Sequence, residues 1–294
     1  MLVIIATGYF ATKKGIFSAK ARADVTNVVV TIIVPCNIFM SFSGDITQET
    51  LRQSVFVLVA GFGVHLIYIL LSKLLYIRFE PEKRAVLKAA TISNNAVFMG
   101  LPVIGAVFGP IGVIYGSIIM IPVGIFMWSI GLSQFMKTDK KETIKMLIKN
   151  PGLLAIVLGF AYALMPITLP YFLEGAILAF GRSTTALTMF IVGSILAGIN
   201  FKTIFDKDGL YYSFIRLIAI PAMVFGLMTL VNADPLVRGV MTLSSAMPMA
   251  VVTVMQAEKS GRDMAFASKA MLMSTLLSII TLPIIAEILT YFGT

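Results

Sequence analysis

The sequence predicts an all-α membrane protein of about ten transmembrane helices in two inverted five-helix repeats. Three observations predict it. Only 13% of the 294 residues are charged and 58% are hydrophobic, against roughly 25% charged in soluble domains. The mean hydropathy is +0.95. The apolar residues fall in stretches of about 20, the length that crosses hydrocarbon, and the basic residues concentrate in every second connection between them.

Ten apolar spans are predicted: 1–14, 24–43, 51–76, 86–106, 111–136, 150–166, 171–199, 209–232, 235–257 and 264–292. The first is too short to cross and reads as a half-length helix, or as one lacking its upstream turns. The second carries Pro35, Cys36 and Asn37. The third holds the sole histidine, His65. The fourth is interrupted by "SNNAVFMGLP", and the fifth and tenth hold Pro122 and Pro283, which kink helices. The seventh contains Arg182 beside Ser183, Thr184 and Thr185. The ninth reads "LSSAMPMAVVTVMQ". A single Cys excludes a disulfide framework or a Cys-ligated metal site within one chain. The lysines of "MLVIIATGYFATKKG" follow the apolar run, unlike a cleavable signal peptide.

The basic residues set the predicted orientation. Lys13, Lys14, Lys20 and Arg22 follow the first span, and Lys73, Arg78, Lys83, Arg84 and Lys88 the third. Lys137, Lys140, Lys141, Lys145 and Lys149 follow the fifth. Lys202, Lys207 and Arg216 follow the seventh, and Lys259, Arg262 and Lys269 the ninth. Of all Lys and Arg, only Arg52, Arg182 and Arg238 fall elsewhere. Odd-to-even connections are therefore expected in the cytoplasm, with both termini outside a multi-pass protein of the cell membrane. The net charge of +9 is a topology signal with some attraction for anionic lipid. Scattered over short connections, it is not a nucleic-acid footprint. The hydrophilic stretch 137–150 divides the chain into a first unit, 1–136, and a second, 151–294. Five spans each gives the halves opposite orientations, a transporter architecture.

The fourth and ninth spans hold the same ordinal place in their halves. Each has a proline, Pro102 or Pro248, among Ser93, Asn94, Asn95 and Gly100 in one and Ser244, Ser245, Thr253 and Gln256 in the other. Proline removes a backbone donor and clashes with the carbonyl four residues earlier. The freed groups must face protein or a wet cavity. Asn, Ser and Gln satisfy them, or hold an ion or solute. Two broken helices, one per half, mark a transport site. The plainer reading is a pair of kinks with polar residues joining helices.

These residues resemble the auxin efflux carrier family, whose bacterial members include malonate-type carriers. "NNAVFMGLPV" is similar to that family's fourth helix and "IIVPCNIFMSF" to its second. "FIRLIAIP" is similar to its eighth, and "SSAMPMAVVTVMQAEKSGRDMAFASKAMLMSTLLSIITLP" to its ninth and tenth. The resemblance covers nearly the whole chain and departs at the short first span and at Thr185, where a proline is expected. It implies the fold of bile-acid symporters and sodium/proton antiporters, with broken helices four and nine crossing. It also implies small organic anions as substrates, from dicarboxylates to indole acids, and a homodimer through the scaffold helices as one arrangement.

The expected function is a secondary active or facilitative transporter of a small carboxylate, working by alternating access. The substrate or ion contacts are Ser93, Asn94, Asn95, Ser245, Gln256 and Arg182, with Gly100, Pro102 and Pro248 shaping the breaks. Arg182 attracts the anion, or else snorkels or pairs with Glu174. His65 either titrates or packs. Glu258 and Asp263 are expected to pair with Lys259 and Arg262. No cofactor or metal is expected beyond sodium or a proton as coupling ion. The alternatives are a sodium- or proton-coupled uptake carrier and a channel or sensor. An enzyme is disfavoured by the lack of H-E-x-x-H, of paired mid-membrane Asp and of a second His. A nucleotide-driven pump is disfavoured by the lack of a phosphate-binding loop.

Overall fold

The computed structural model describes residues 1–43, 46–136, 139–165, 168–198 and 204–291. Lys137 and Lys202, used in the orientation argument, lie outside them, as do the predicted span ends at 166, 199 and 292. The chain runs through α1 (Leu2–Lys13), α2 (Ala19–Val28), α3 (Val34–Ser41), α4 (Gln48–Leu75), α5 (Pro81–Ile92), α6 (Leu101–Phe126) and α7 (Lys140–Ile148). It continues through α8 (Pro151–Leu164), α9 (Tyr171–Leu196), α10 (Lys207–Phe214), α11 (Ile220–Leu230), α12 (Pro235–Ser245), α13 (Val251–Lys259) and α14 (Met264–Tyr291). No β-strand occurs among the described residues. Among the described residues seven helices start from a side-chain cap, at Ser18, Thr47, Asp139, Asn150, Asp206, Asp234 and Asp263. Each cap satisfies an N–H the first turn leaves free.

Among the described residues four π turns, Val29–Ile33, Ala96–Gly100, Met127–Gly131 and Ile215–Ala219, interrupt the helices. Three of them end two residues before a proline: Pro35, Pro102 and Pro221. The proline ring excludes the i−4 carbonyl, and the preceding turn widens to i−5 bonding, a local adjustment common at functional sites. Gly100 N–H, for example, donates to the Asn95 carbonyl at 3.0 Å.

Among the described residues six continuous helices are long and apolar enough to cross a membrane, or seven if α7 and α8, bent by 57°, form one span. α7 carries Lys141, Glu142 and Lys145 within nine residues. That polarity suits the interface rather than hydrocarbon. The helix over Ala96–Gly131 has 36 residues, about 54 Å if straight and far beyond a 30 Å core. It is not straight. Gly109 takes φ 65°, ψ −159°, a conformation suited to glycine, and Pro110 follows. The position of a Cβ at Gly116 lies 3.1 Å from the Leu101 side chain and 3.2 Å from that of Ile104. In a straight helix residues 101 and 116 would be about 22 Å apart. The chain therefore turns back at Gly109, and α6 is a helical hairpin with one arm on each side of it.

Packing divides the helices into two bundles. α1, α2, α3, α8 and α9 form one; α4, α5, α6 and α10 to α14 form the other. In the first bundle, α1 crosses α9 so closely that a Cβ at Gly8 would meet the Phe190 carbonyl and one at Gly193 the Ile5 carbonyl. In the second, ion pairs tie the start of α5 to its neighbours: Lys83 to Asp208 at 2.6 Å and Arg262 to Glu82 at 2.7 Å. Arg262 thus reaches across the bundle rather than pairing locally, and Asp263 accepts from Phe266 N–H at 2.8 Å as a helix cap. Large exposed side chains such as Val59, Leu70, Val157, Phe172 and Ile284 clothe the outside in apolar surface, as lipid requires. Inside, buried hydroxyls fold back on their own helices, as Ser117 does to Val113 and Thr188 to Thr184.

Candidate functional site

α5 ends at Ile92, and Ser93 turns the chain into an extended conformation with φ −111° and ψ 133°. α12 ends at Ser245, and residues 246–250 run unwound until α13 begins. The two breaks meet. Asn94 and Met249 form an isolated antiparallel bridge, and Asn95 N–H donates to the Pro248 carbonyl at 3.0 Å. Backbone groups that a continuous helix would pair internally are paired across the crossing instead. Such unwound backbone is stable at membrane depth only when shielded by protein, and it is: Ser93, Asn94, Asn95, Met247 and Met249 are all at most 7% exposed.

Side chains reinforce the junction. Asn94 Nδ2 donates to the Ser244 carbonyl at 2.8 Å. The Ser93 and Thr253 hydroxyls lie 3.1 Å apart, and Met249 N–H donates to Ser274 Oγ at 3.3 Å. Gly100 packs near Met247, whose Cγ is 3.5 Å from a Cβ position there. Ser245 and Gln256 are buried on α12 and α13. Asn94 Oδ1 and Gln256 Nε2 have no hydrogen-bond partner among the described residues. A buried polar atom in that condition costs about 1–3 kcal/mol, which a bound group would offset. The structure thus brings Ser93, Asn94, Asn95, Gly100, Ser245 and Pro248 together, with Gln256 one turn beyond Thr253. Pro248 sits in its break as expected. Gly100 and Pro102 do not: the fourth span breaks at Ser93–Asn95, and the π turn over Ala96–Gly100 absorbs the bond that Pro102 removes.

Arg182 lies apart from the crossing. It is exposed on α9 and lines a cavity of about 280 Å³ with Asn37, Ser41, Pro102, Gly109 and Thr185. The lining comes from both bundles, so the cavity opens at their interface. Its Pro102 wall is on the arm of α6 that leads from the crossing. No ion pair joins Arg182 to Glu174 among the described residues. A larger groove of about 450 Å³, lined by Leu217, Ile218, Phe225, Ile284 and Ile288 with the hydroxyls of Thr242 and Thr281, is mainly apolar and has no charged side chain in its lining. His65 is buried, with Nδ1 2.7 Å from the Gly61 carbonyl and its ring stacked on Phe126, the surroundings of a packing residue.

The sequence reading missed Arg216. Counted there as a loop charge, it is fully buried in the π turn between α10 and α11. Its Nε donates to the Met247 carbonyl at 2.9 Å and its Nη1 to the Thr91 carbonyl at 3.2 Å. The guanidinium carbon lies 5.5 Å from the centre of the Tyr68 ring, a cation–π distance. One side chain thus serves a carbonyl beside each break. The available signal was its setting: Arg216 stands in the unbroken apolar run "FIRLIAIP", where a charge faces protein or cavity rather than lipid.

The family model for membrane transport proteins matches residues 1–286. The chain belongs to that family. It is the family of the auxin efflux carriers that the motifs resemble. The chain is also 24% identical to an uncharacterized transporter of Methanocaldococcus jannaschii, over 96% of this chain and 94% of that one. It is 25% identical to an uncharacterized transporter of Methanothermobacter thermautotrophicus, over 98% and 96%. This member of the family is a multi-pass membrane transporter, and the paired breaks are its most distinctive interior feature.

Proposed function

We propose that the protein carries a small organic anion, a carboxylate, across the cell membrane by alternating access, and that the anion binds at the paired breaks. The observation that carries the reading is the Asn94–Met249 bridge. Around it, the amino end of α13 and that of the π turn leading into α6 present partial positive charge for an anion to meet. Asn95 and Gln256 offer amide donors for its oxygens. The exposed Arg182, in the cavity between the bundles, is the outer attractor.

In this reading the spans number ten, since the α6 hairpin supplies two and the broken pairs α5–α6 and α12–α13 supply one limb each of the crossing. The halves 1–136 and 151–294 are inverted repeats, 137–150 is cytoplasmic and both termini are outside. The bundle holding the crossing moves against the bundle of α1, α2, α3, α8 and α9, which is also the surface for a homodimer. No buried carboxylate is present among the described residues, which favours uniport over proton coupling; Asn, Ser and Gln oxygens with unwound carbonyls form the alternative, a sodium site.

The test is a thermal-shift panel of mono- and dicarboxylates on purified protein, followed by counterflow in proteoliposomes with the acid that stabilises it. A stabilising acid that exchanges against itself with saturation supports the carrier. Stabilisation by no acid, or flux without saturation and counterflow, contradicts it.

A further inference from the structure

We propose that Arg216 is the positioning residue that gives the crossing its preference for anions. The proposal rests on the reading of the crossing as the binding site. Four helix ends meet there. The carboxyl ends of α5 and α12 carry partial negative charge. The amino ends of α13 and of the π turn before α6 carry partial positive charge. Alone, these ends oppose one another, and the crossing favours neither sign.

Arg216 removes the opposition. An unbroken helix would pair the Thr91 carbonyl with Asn95 N–H and the Met247 carbonyl with Val251 N–H. At the crossing Asn95 N–H is committed to Pro248, and Arg216 donates to both carbonyls. Tyr212, one turn earlier on the same face, donates its hydroxyl to the Ala90 carbonyl at 3.1 Å. The carboxyl end of α5 and the unwound carbonyl that follows α12 are therefore covered by a group that carries a full charge, and Asn94 covers the Ser244 carbonyl at the end of α12. The positive ends have no such cover: among the described residues no Asp or Glu is buried. The groups around the guanidinium are Tyr68, Tyr76, Tyr212 and His65, none of them a carboxylate. The crossing keeps a net positive potential that needs no proton to establish it. A buried guanidinium without a counter-ion is costly in hydrocarbon, and the entering anion relieves that cost. Its Nη2 has no partner among the described residues. The fork geometry that serves two carbonyls at once belongs to arginine; lysine keeps the charge as a single point.

The test separates charge selection from simple stability. Purified wild type, Arg216→Gln and Arg216→Lys are titrated with malonate and indole-3-acetate and with their amides, malonamide and indole-3-acetamide, reading the shift in Tm. Wild type is expected to respond to an acid at a concentration about tenfold or more below that for its amide, the margin of a charge-assisted contact. Arg216→Gln should lose that margin, so that acid and amide shift its Tm at similar concentrations, and Arg216→Lys should keep most of it. A wild type that prefers neither acid removes the anion site itself and the proposal with it. A wild type that prefers an acid, with Arg216→Gln preferring it equally, overturns the role of Arg216 alone. If Arg216→Gln does not fold, Arg216→Lys decides: a folded Arg216→Lys protein that has lost the preference overturns the proposal.

Discussion

Arg216 Nη1 donates to the Thr91 carbonyl at 3.2 Å, taking the acceptor that Asn95 N–H would use in an unbroken helix. The same side chain takes the Met247 carbonyl on the other limb. The two breaks are thus held by one residue from a third span, and the cost of unwinding is met locally. Arg216→Met should leave two buried acceptors without donors. The expected loss is about 2–6 kcal/mol, from roughly 1–3 kcal/mol per orphaned group. Thermal unfolding in detergent measures it, and a Tm equal to that of wild type would show that the breaks do not depend on this contact.

Arg182 is expected to act before binding rather than in it. It is exposed in the cavity between the bundles, where a single charge raises the local anion concentration and is screened by salt. Arg182→Gln should raise KM for an anionic substrate several-fold at low salt, with kcat little changed, and Arg182→Lys should retain most of the wild-type value. The difference between variants should shrink at high ionic strength. Initial-rate uptake at two salt concentrations checks this; an effect confined to kcat would place Arg182 in a different step.

Orientation is tested at Lys141, on the polar helix α7. In a Cys36→Ser background, Lys141→Cys should react with a membrane-impermeant thiol reagent only after the cells are opened. Labelling in intact cells would invert the scheme.

Under uniport, a monovalent carboxylate leaving the cell is driven by the inside-negative potential at about 2.3 kcal/mol per 100 mV. Proteoliposomes loaded with the acid, with sodium and pH matched across the membrane, should lose it faster when a potassium diffusion potential makes the interior negative. Accumulation driven by a sodium or pH gradient, with no response to potential, would assign a coupling ion instead.

Much of this architecture is legible in the sequence because lipid imposes strict rules. Apolar length marks spans, and the polar run "SNN" in a greasy segment marks a place where the backbone does not pair with itself. The exact break was less legible. Proline suggests an interruption near its own position, yet at Pro35, Pro102 and Pro221 the helix widens into a π turn and continues. The true break at Ser93–Asn95 is set by pairing with Met249 and Pro248, residues more than 150 positions away, which no local pattern encodes. Arg216 was misread for a related reason. A basic residue seven positions past the predicted start of the span 209–232 looks like a loop charge when that start is uncertain, and only the tertiary contacts to Thr91 and Met247 reveal it as buried. His65, left open between titrating and packing, packs, and its partner Gly61 is one turn away on the same helix.

The most direct measurement of the central claim is counterflow of the stabilising carboxylate in proteoliposomes, comparing wild type with a protein carrying Asn94→Ala, Asn95→Ala and Gln256→Ala together. Equal amounts of folded, inserted protein are confirmed by gel filtration and by the ligand-free Tm. If the anion binds at the paired breaks, exchange in the triple variant falls to the level of protein-free liposomes and the acid no longer raises its Tm. Wild-type exchange kinetics and a wild-type Tm response in the triple variant would place the binding site elsewhere in the molecule.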